Sequence, residues 1–108
     1  MEFLVHMELN GITIGSGAEI ALQEQEAIRA HELGVAGILV RLWRIPGRRE
    51  NWGIWSAPDP GQLHNALVSL PLFPYLAITV HPLAPHPNDP GGKKIAEFGS
   101  SVATHGQK

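Results

Sequence analysis

Glu26 is the residue whose setting most invites chemistry. Within the run from Ala18 to Leu33 it shares one helical stripe with Leu22, Ala30 and Leu33, at i, i+4, i+8 and i+11. A carboxylate on an apolar, sheet-facing stripe is partly desolvated, and desolvation raises its pKa. Such a group suits proton transfer to and from carbon near neutral pH. The plainer alternatives are a glutamate on a frayed helix surface, or one paired with an arginine for structure. Glu19, Glu24 and Glu32 lie off this stripe and ask for no special explanation.

The next candidates cluster in the middle of the chain. Arg41, Arg44, Arg48 and Arg49 make a local basic patch, either solvated hairpin charge or a place for an anion. Arg44 reads as the more structural of them, paired with an acid. Asn51 opens the run Asn51 to Ser56 and shares a strand face with Gly53 and Trp55, so a pocket lined by Asn51 has Trp55 in its wall. The alternative for Asn51 is a turn-exit residue satisfying backbone groups. His6 sits on the less apolar face of the first strand, facing either a pocket or an interface. His6, His64, His81 and His86 lack the spacing of a shared metal site and no carboxylate cluster joins them, so no metal is expected. Gly15-Ser16-Gly17 resembles a phosphate-binding turn but lacks a third glycine and a following Lys-Ser/Thr, and reads as a connector.

Composition bounds the class. At 108 residues the chain is one domain with a modest core, so burial by association is expected. The formal charge of −2 gives no reason to expect nucleic acid as a partner. The absence of cysteine excludes disulfides and thiolate metal sites. No apolar run is long enough to span a membrane, and the N-terminus lacks signal-peptide character, so a cytoplasmic protein is expected.

These residues need elements to hold them. Phe3, Val5, Met7 and Leu9 alternate with Leu4, His6 and Glu8, predicting a first strand. Ala18 to Leu33 predicts a helix that stops at Gly34. Ile38 to Ile45 and Asn51 to Ser56 predict a hairpin around Pro46 to Glu50. Asp59 and Pro60 start a second helix running to about Leu70. After the turn at Pro71 and Pro74, Leu76, Ile78 and Val80 predict a fourth strand. The order strand, helix, strand, strand, helix, strand is that of a ferredoxin-like α+β sandwich, a four-stranded antiparallel sheet with two helices on one face. The bare face calls for a second subunit. Residues 1–87 form this domain, and residues 88–108, rich in Pro, Gly, Asn and Lys, read as an arm or flexible tail.

Leu42-Trp43-Arg44, Gly47, Asn51, Leu63-His64, Ser69-Leu70-Pro71-Leu72-Phe73-Pro74-Tyr75, Ile78, Val80, Pro82-Leu83 and His86-Pro87 closely resemble the muconolactone Δ-isomerase family, which includes the chloromuconolactone dehalogenases. The likeness covers about Phe3 to Pro87 and is strongest in the second half. It implies the ferredoxin-like fold, dimers packed through their sheets and further assembly into decamers. It implies a 1,3-proton shift converting muconolactone to 3-oxoadipate enol-lactone in aromatic catabolism, with no cofactor. Glu26 then matches the family's acid/base glutamate, and Asn51 a pocket asparagine able to donate to the lactone. Arg49 stands where family members commonly have tyrosine; it either binds the substrate carboxylate or marks a different substrate. Leu39 and Val40 replace the Trp-Arg of a Gly-x-Trp-Arg motif, and Gln23 and Ala27 replace lysines. The expected substrate-binding set is Arg49, Arg44, His6 and Trp55. Two other readings stay open: a non-catalytic oligomeric module binding a small carboxylate, and a related lactone dehalogenase or lyase. The stretch from Leu63 to Pro82 is expected to build core and interface and to stand apart from the chemistry.

Overall fold

The computed structural model describes residues 1–91. The elements are β1 (Glu2–Leu9), α1 (Gly17–Val35), β2 (Leu39–Arg44), β3 (Glu50–Ser56), α2 (Pro60–Val68), a 3₁₀ turn (Phe73–Tyr75) and β4 (Leu76–Leu83). Every strand pair is antiparallel and the sheet order is β2-β3-β1-β4, the ferredoxin-like arrangement.

The alternation in β1 decides which face the helices cover. Phe3, Val5 and Met7 are buried. Across the sheet they face Trp55, Gly53 and Asn51 on β3, and Pro82, Val80 and Ile78 on β4. Leu33 of α1 and Leu63, Ala66 and Leu67 of α2 join Phe3, Val5, Met7 and Trp55 in one core, so both helices lie on this face. Each fully buried large side chain contributes about 1.5–3 kcal/mol. The opposite face carries Leu4 and His6 from β1 and Trp52 and Ile54 from β3, with no helix over them among the described residues.

Both helices end elsewhere than expected, while the ends of β2 and β3 and the start of α1 shift by one residue at most. α1 continues through Gly34 to Val35, and the left-handed residue that turns the chain is Gly37 at φ 78°. The Ile38 amide then reaches the Leu33 carbonyl at 2.9 Å, closing the helix end. α2 stops at Val68 rather than Leu70, because Ser69 caps it: its hydroxyl donates to the Ala66 carbonyl at 2.6 Å. Pro71 then forbids further helix. The α2 start is as read, with the Asp59 carboxylate accepting the Gln62 amide at 2.8 Å. Of the expected C-terminal arm, residues 92–108 lie outside the described residues.

Candidate active site

Ser16 and Glu19 set the orientation of α1. The Ser16 hydroxyl accepts the Glu19 amide at 3.1 Å, and a Glu19 carboxylate oxygen accepts the Gly15 amide at 3.1 Å. This is a variant of the capping box, a serine with a glutamate three residues on, in which the glutamate takes the amide of the residue before the cap while the Ser16 amide goes to the Thr13 carbonyl. From that start, Glu19, Gln23, Glu26, Ala27 and Ala30 line up along one side of the helix and form one wall of a cleft of about 660 Å³. The hairpin supplies the facing wall through Arg44, Arg49, Asn51 and Trp55, and Leu70, Leu72 and Leu76 close the end.

Glu26 is half-buried, and burial pushes its pKa up. One stabilising contact works against this: the Leu72 amide donates to Glu26 Oε1 at 3.0 Å. Burial prevails, and the pKa stays above the ordinary carboxylate value. No cation pairs with Glu26 among the described residues. The Leu63 to Pro82 stretch, expected to stand apart, thus contacts the candidate base directly. The two prolines shape a turn that aims a main-chain donor at the candidate base.

The other two carboxylates at the cleft move the opposite way. Glu19 is the one buried charged residue among the described residues. Its pKa is lowered, first by the Gly15 amide and also by the Arg49 guanidinium, whose Nη2 lies 3.1 Å from Oε2. Glu50, at the rim, accepts from Arg48 Nε at 2.7 Å and is 2.8 Å from His6 Nε2; the Arg48 bond is the main cause of its lowered pKa. Of the three, Glu26 is the one whose surroundings favour the protonated form.

The β3 wall carries two polar atoms with unmet needs. Asn51 Oδ1 and Trp55 Nε1 are buried and have no hydrogen-bond partner among the described residues. Leaving such a group unpaired costs about 1–3 kcal/mol. Gly53 lies between them on the same face. A Cβ there would sit 3.0 Å from Trp55 Nε1, 3.1 Å from the Arg41 carbonyl and 3.2 Å from Leu42 Cδ1. The glycine is what lets the indole lie against the strand.

Of the residues singled out from sequence, Glu26, Asn51, Arg44, Arg49 and Trp55 meet at one cleft. His6 does not join them: it is on the helix-free face of β1, against the Trp52 ring at 4.7 Å and bonded to Glu50. Strand alternation puts it there, opposite in direction to Val5 and Met7. Arg44 has no acidic partner among the described residues, contrary to the expected ion pair, and lines the cleft instead. The expectation that Glu19 lies off the Leu22 stripe does not hold: seven residues before Glu26, it sits two helical turns along the same face, and the Ser-x-x-Glu pattern is its other signal.

The fold and cleft together define a ferredoxin-like sandwich with a half-buried carboxylate facing arginines and unpaired polar groups. A profile of the muconolactone delta-isomerase family matches residues 1–89. Muconolactone Delta-isomerase 2 of Acinetobacter lwoffii is 36% identical over 88 residues, covering 80% of this chain and 91% of that one. The muconolactone Delta-isomerase of Pseudomonas aeruginosa is 33% identical over 91 residues, covering 79% and 92%. A crystal structure of muconolactone isomerase superposes with a TM-score of 0.78 at 33% identity, covering 86% of this chain and 98% of that one. The chain belongs to the muconolactone Δ-isomerase family, and is an enzyme of the isomerase class.

Proposed function

We propose that this chain moves a double bond in a small unsaturated lactone bearing a free carboxylate, of the muconolactone type, by a 1,3-proton shift at Glu26. The observation that carries the reading is Glu26 itself: half-buried, raised in pKa, tied to the Leu72 amide and lacking a cationic partner among the described residues. Its anion removes a proton from the ring carbon at one end of a three-carbon allylic unit. The electron pair spreads through the unit onto the lactone carbonyl oxygen. The protonated glutamate then returns a proton at the other end, so the double bond moves and nothing is oxidised or reduced. The Leu72 amide holds Oε1, which leaves Oε2 to face the substrate.

Charge building on the lactone oxygen needs a donor in a sheltered site. On the wall opposite Glu26 the Trp55 indole N–H is a buried donor without a partner among the described residues; the unmet atom of Asn51 is its acceptor Oδ1, so Asn51 serves as a donor only through its Nδ2. Arg44 and Arg49 are the cations suited to the free carboxylate. The bare sheet face, with Leu4, Trp52 and Ile54, supports a dimer packed sheet to sheet.

The test is proton NMR of muconolactone with the protein in D2O. Enzyme-dependent deuterium entry into the ring and appearance of the enol-lactone are expected, with loss of both in Glu26→Gln. No exchange above buffer, or an unimpaired Glu26→Gln enzyme, would refute the reading.

A further inference from the structure

The isomerase reading gives Glu19 no part, yet a buried carboxylate at the edge of a cleft has to be accounted for. Part of the account is structural, since Glu19 closes the capping box of α1. That role uses one oxygen. The other oxygen reaches 30 residues along the chain to Arg49 Nη2 at 3.1 Å. We infer that Glu19 is a positioning residue. It holds the Arg49 guanidinium in the cleft as the anchor for the substrate's free carboxylate, and so fixes which way round the substrate lies.

Arg49 is held at two points. Its carbonyl accepts the Leu9 amide at 2.9 Å, which ties its backbone to the end of β1. Its side chain crosses from the hairpin to the first turn of α1. A guanidinium carries five N–H donors in a planar fork, and Glu19 takes one of them. The remaining edge is free to form the two-pronged contact that a carboxylate prefers. An arginine side chain left loose loses rotamer freedom when it binds; one already fixed by a buried partner loses less.

Geometry along α1 gives the orientation. Glu19 and Glu26 are both on the cleft side, seven residues apart, which is roughly 10 Å of helix axis. The arginine extends from the Glu19 end and the Glu26 side chain from the other. The gap between guanidinium and base then suits a five-membered ring with a two-carbon acid arm. The carboxylate points toward the N-terminal end of α1, and the allylic carbons lie under Glu26 and the Leu72 turn. Arg48 is a poorer anchor, because its side chain is 65% exposed at the rim, against 37% for Arg49.

This inference rests on the isomerase reading for the ligand's class, and its test is independent of turnover. The saturated lactone carrying an acetic acid arm cannot isomerise and serves as the probe, with its methyl ester as control. Binding of each is measured by isothermal titration to the native chain, Glu19→Gln and Arg49→Gln. Glutamine is accepted at the third position of a capping box, so Glu19→Gln keeps the helix start. Both variants should bind the acid about ten-fold more weakly or worse, with ester binding unchanged. Glu19→Asp, which keeps the charge on a shorter arm, should recover part of the loss. Unchanged acid binding in Glu19→Gln overturns the inference, even if its melting temperature falls. Tighter acid binding in Glu19→Gln also overturns it, since Glu19 would then be competing with the ligand for Arg49. Equal weakening of acid and ester overturns it too. Absence of isomerisation by the native chain would refute the isomerase reading and leave these binding results to stand or fall alone.

Discussion

Replacing Glu26 by glutamine and by alanine should separate what this side chain does for the reaction from what it does for the fold. Glutamine keeps an oxygen for the Leu72 amide, which now reaches Glu26 Oε1 at 3.0 Å. Alanine leaves that amide without a partner in a half-buried setting. An abandoned donor costs about 1–3 kcal/mol, and in a domain of this size each kcal/mol moves the melting temperature by about 4–8 °C. Glu26→Ala should therefore melt some 5–20 °C below the native chain. Glu26→Gln should melt no lower. The sign of its pH dependence follows from the raised pKa. Folding favours the protonated form, so ionisation of Glu26 destabilises the fold as pH rises from the unfolded value through the folded one. Glu26→Gln escapes that penalty and should be more stable than the native chain above this window and equal to it below. Turnover should fall in both variants by about 10²–10⁴, the usual contribution of a positioned acid/base. Circular dichroism melts at several pH values and the D2O exchange assay give both readouts. If Glu26→Gln were as unstable as Glu26→Ala, the Leu72 contact would not be what supports the turn. If turnover tracked stability across the pair, Glu26 would be a structural residue.

Three further outcomes follow from the same geometry. The acid limb of kcat/KM should lie above the ordinary glutamate value of about 4.3, because the free enzyme's base is Glu26; a limb at or below that value would contradict its assignment. Gly53→Ala places a Cβ 3.0–3.2 Å from Trp55 Nε1, the Arg41 carbonyl and Leu42 Cδ1. Overpacking of about 1–3 kcal/mol, offset by about 0.5–1 kcal/mol from a stiffer unfolded chain, should lower the urea midpoint and weaken ligand binding as the indole shifts; an unchanged midpoint would mean the strand yields freely. Glu50, whose pKa is lowered chiefly by Arg48, stabilises the fold above its unfolded pKa and loses that contribution as pH falls, so Glu50→Gln should flatten the acid side of the stability profile.

Most of the fold could be read in advance because its signals are local. Phe3, Val5 and Met7 alternate, and the structure buries all three. Asp59-Pro60 starts a helix by its own side chain and ring, and does so here. The misjudged ends have equally local reasons. Gly34 is the expected stop, but the helix runs through it and the glycine that turns the chain is Gly37, in a left-handed conformation. Glu26 was legible because a charge interrupts an apolar stripe. The Leu72 amide was not, because a backbone donor has no letter of its own and only the path of the Pro71–Pro74 turn reveals where it points. Arg49 meets Glu19 only after α1 and the hairpin have been brought together, so neither residue announces the other.

Among the described residues three glutamates reach this cleft, and residue type does not tell them apart. What separates them is the partner each has found. Glu19 has two backbone and side-chain donors with an arginine among them, and Glu50 has an arginine and a histidine. Those partners favour the anion and make it a poor carrier of protons near neutrality. Glu26 has one neutral amide and a half-buried position. The amide is enough to orient the carboxyl and too little to offset its desolvation. A shuttle needs both properties, because a group that holds its proton too weakly cannot return it to carbon, and one that holds it too strongly cannot take it. On the proposed mechanism the position of Leu72 is thus as much a condition of the chemistry as the glutamate. The apolar, proline-bounded turn that looks like pure packing in the sequence is where that balance is set.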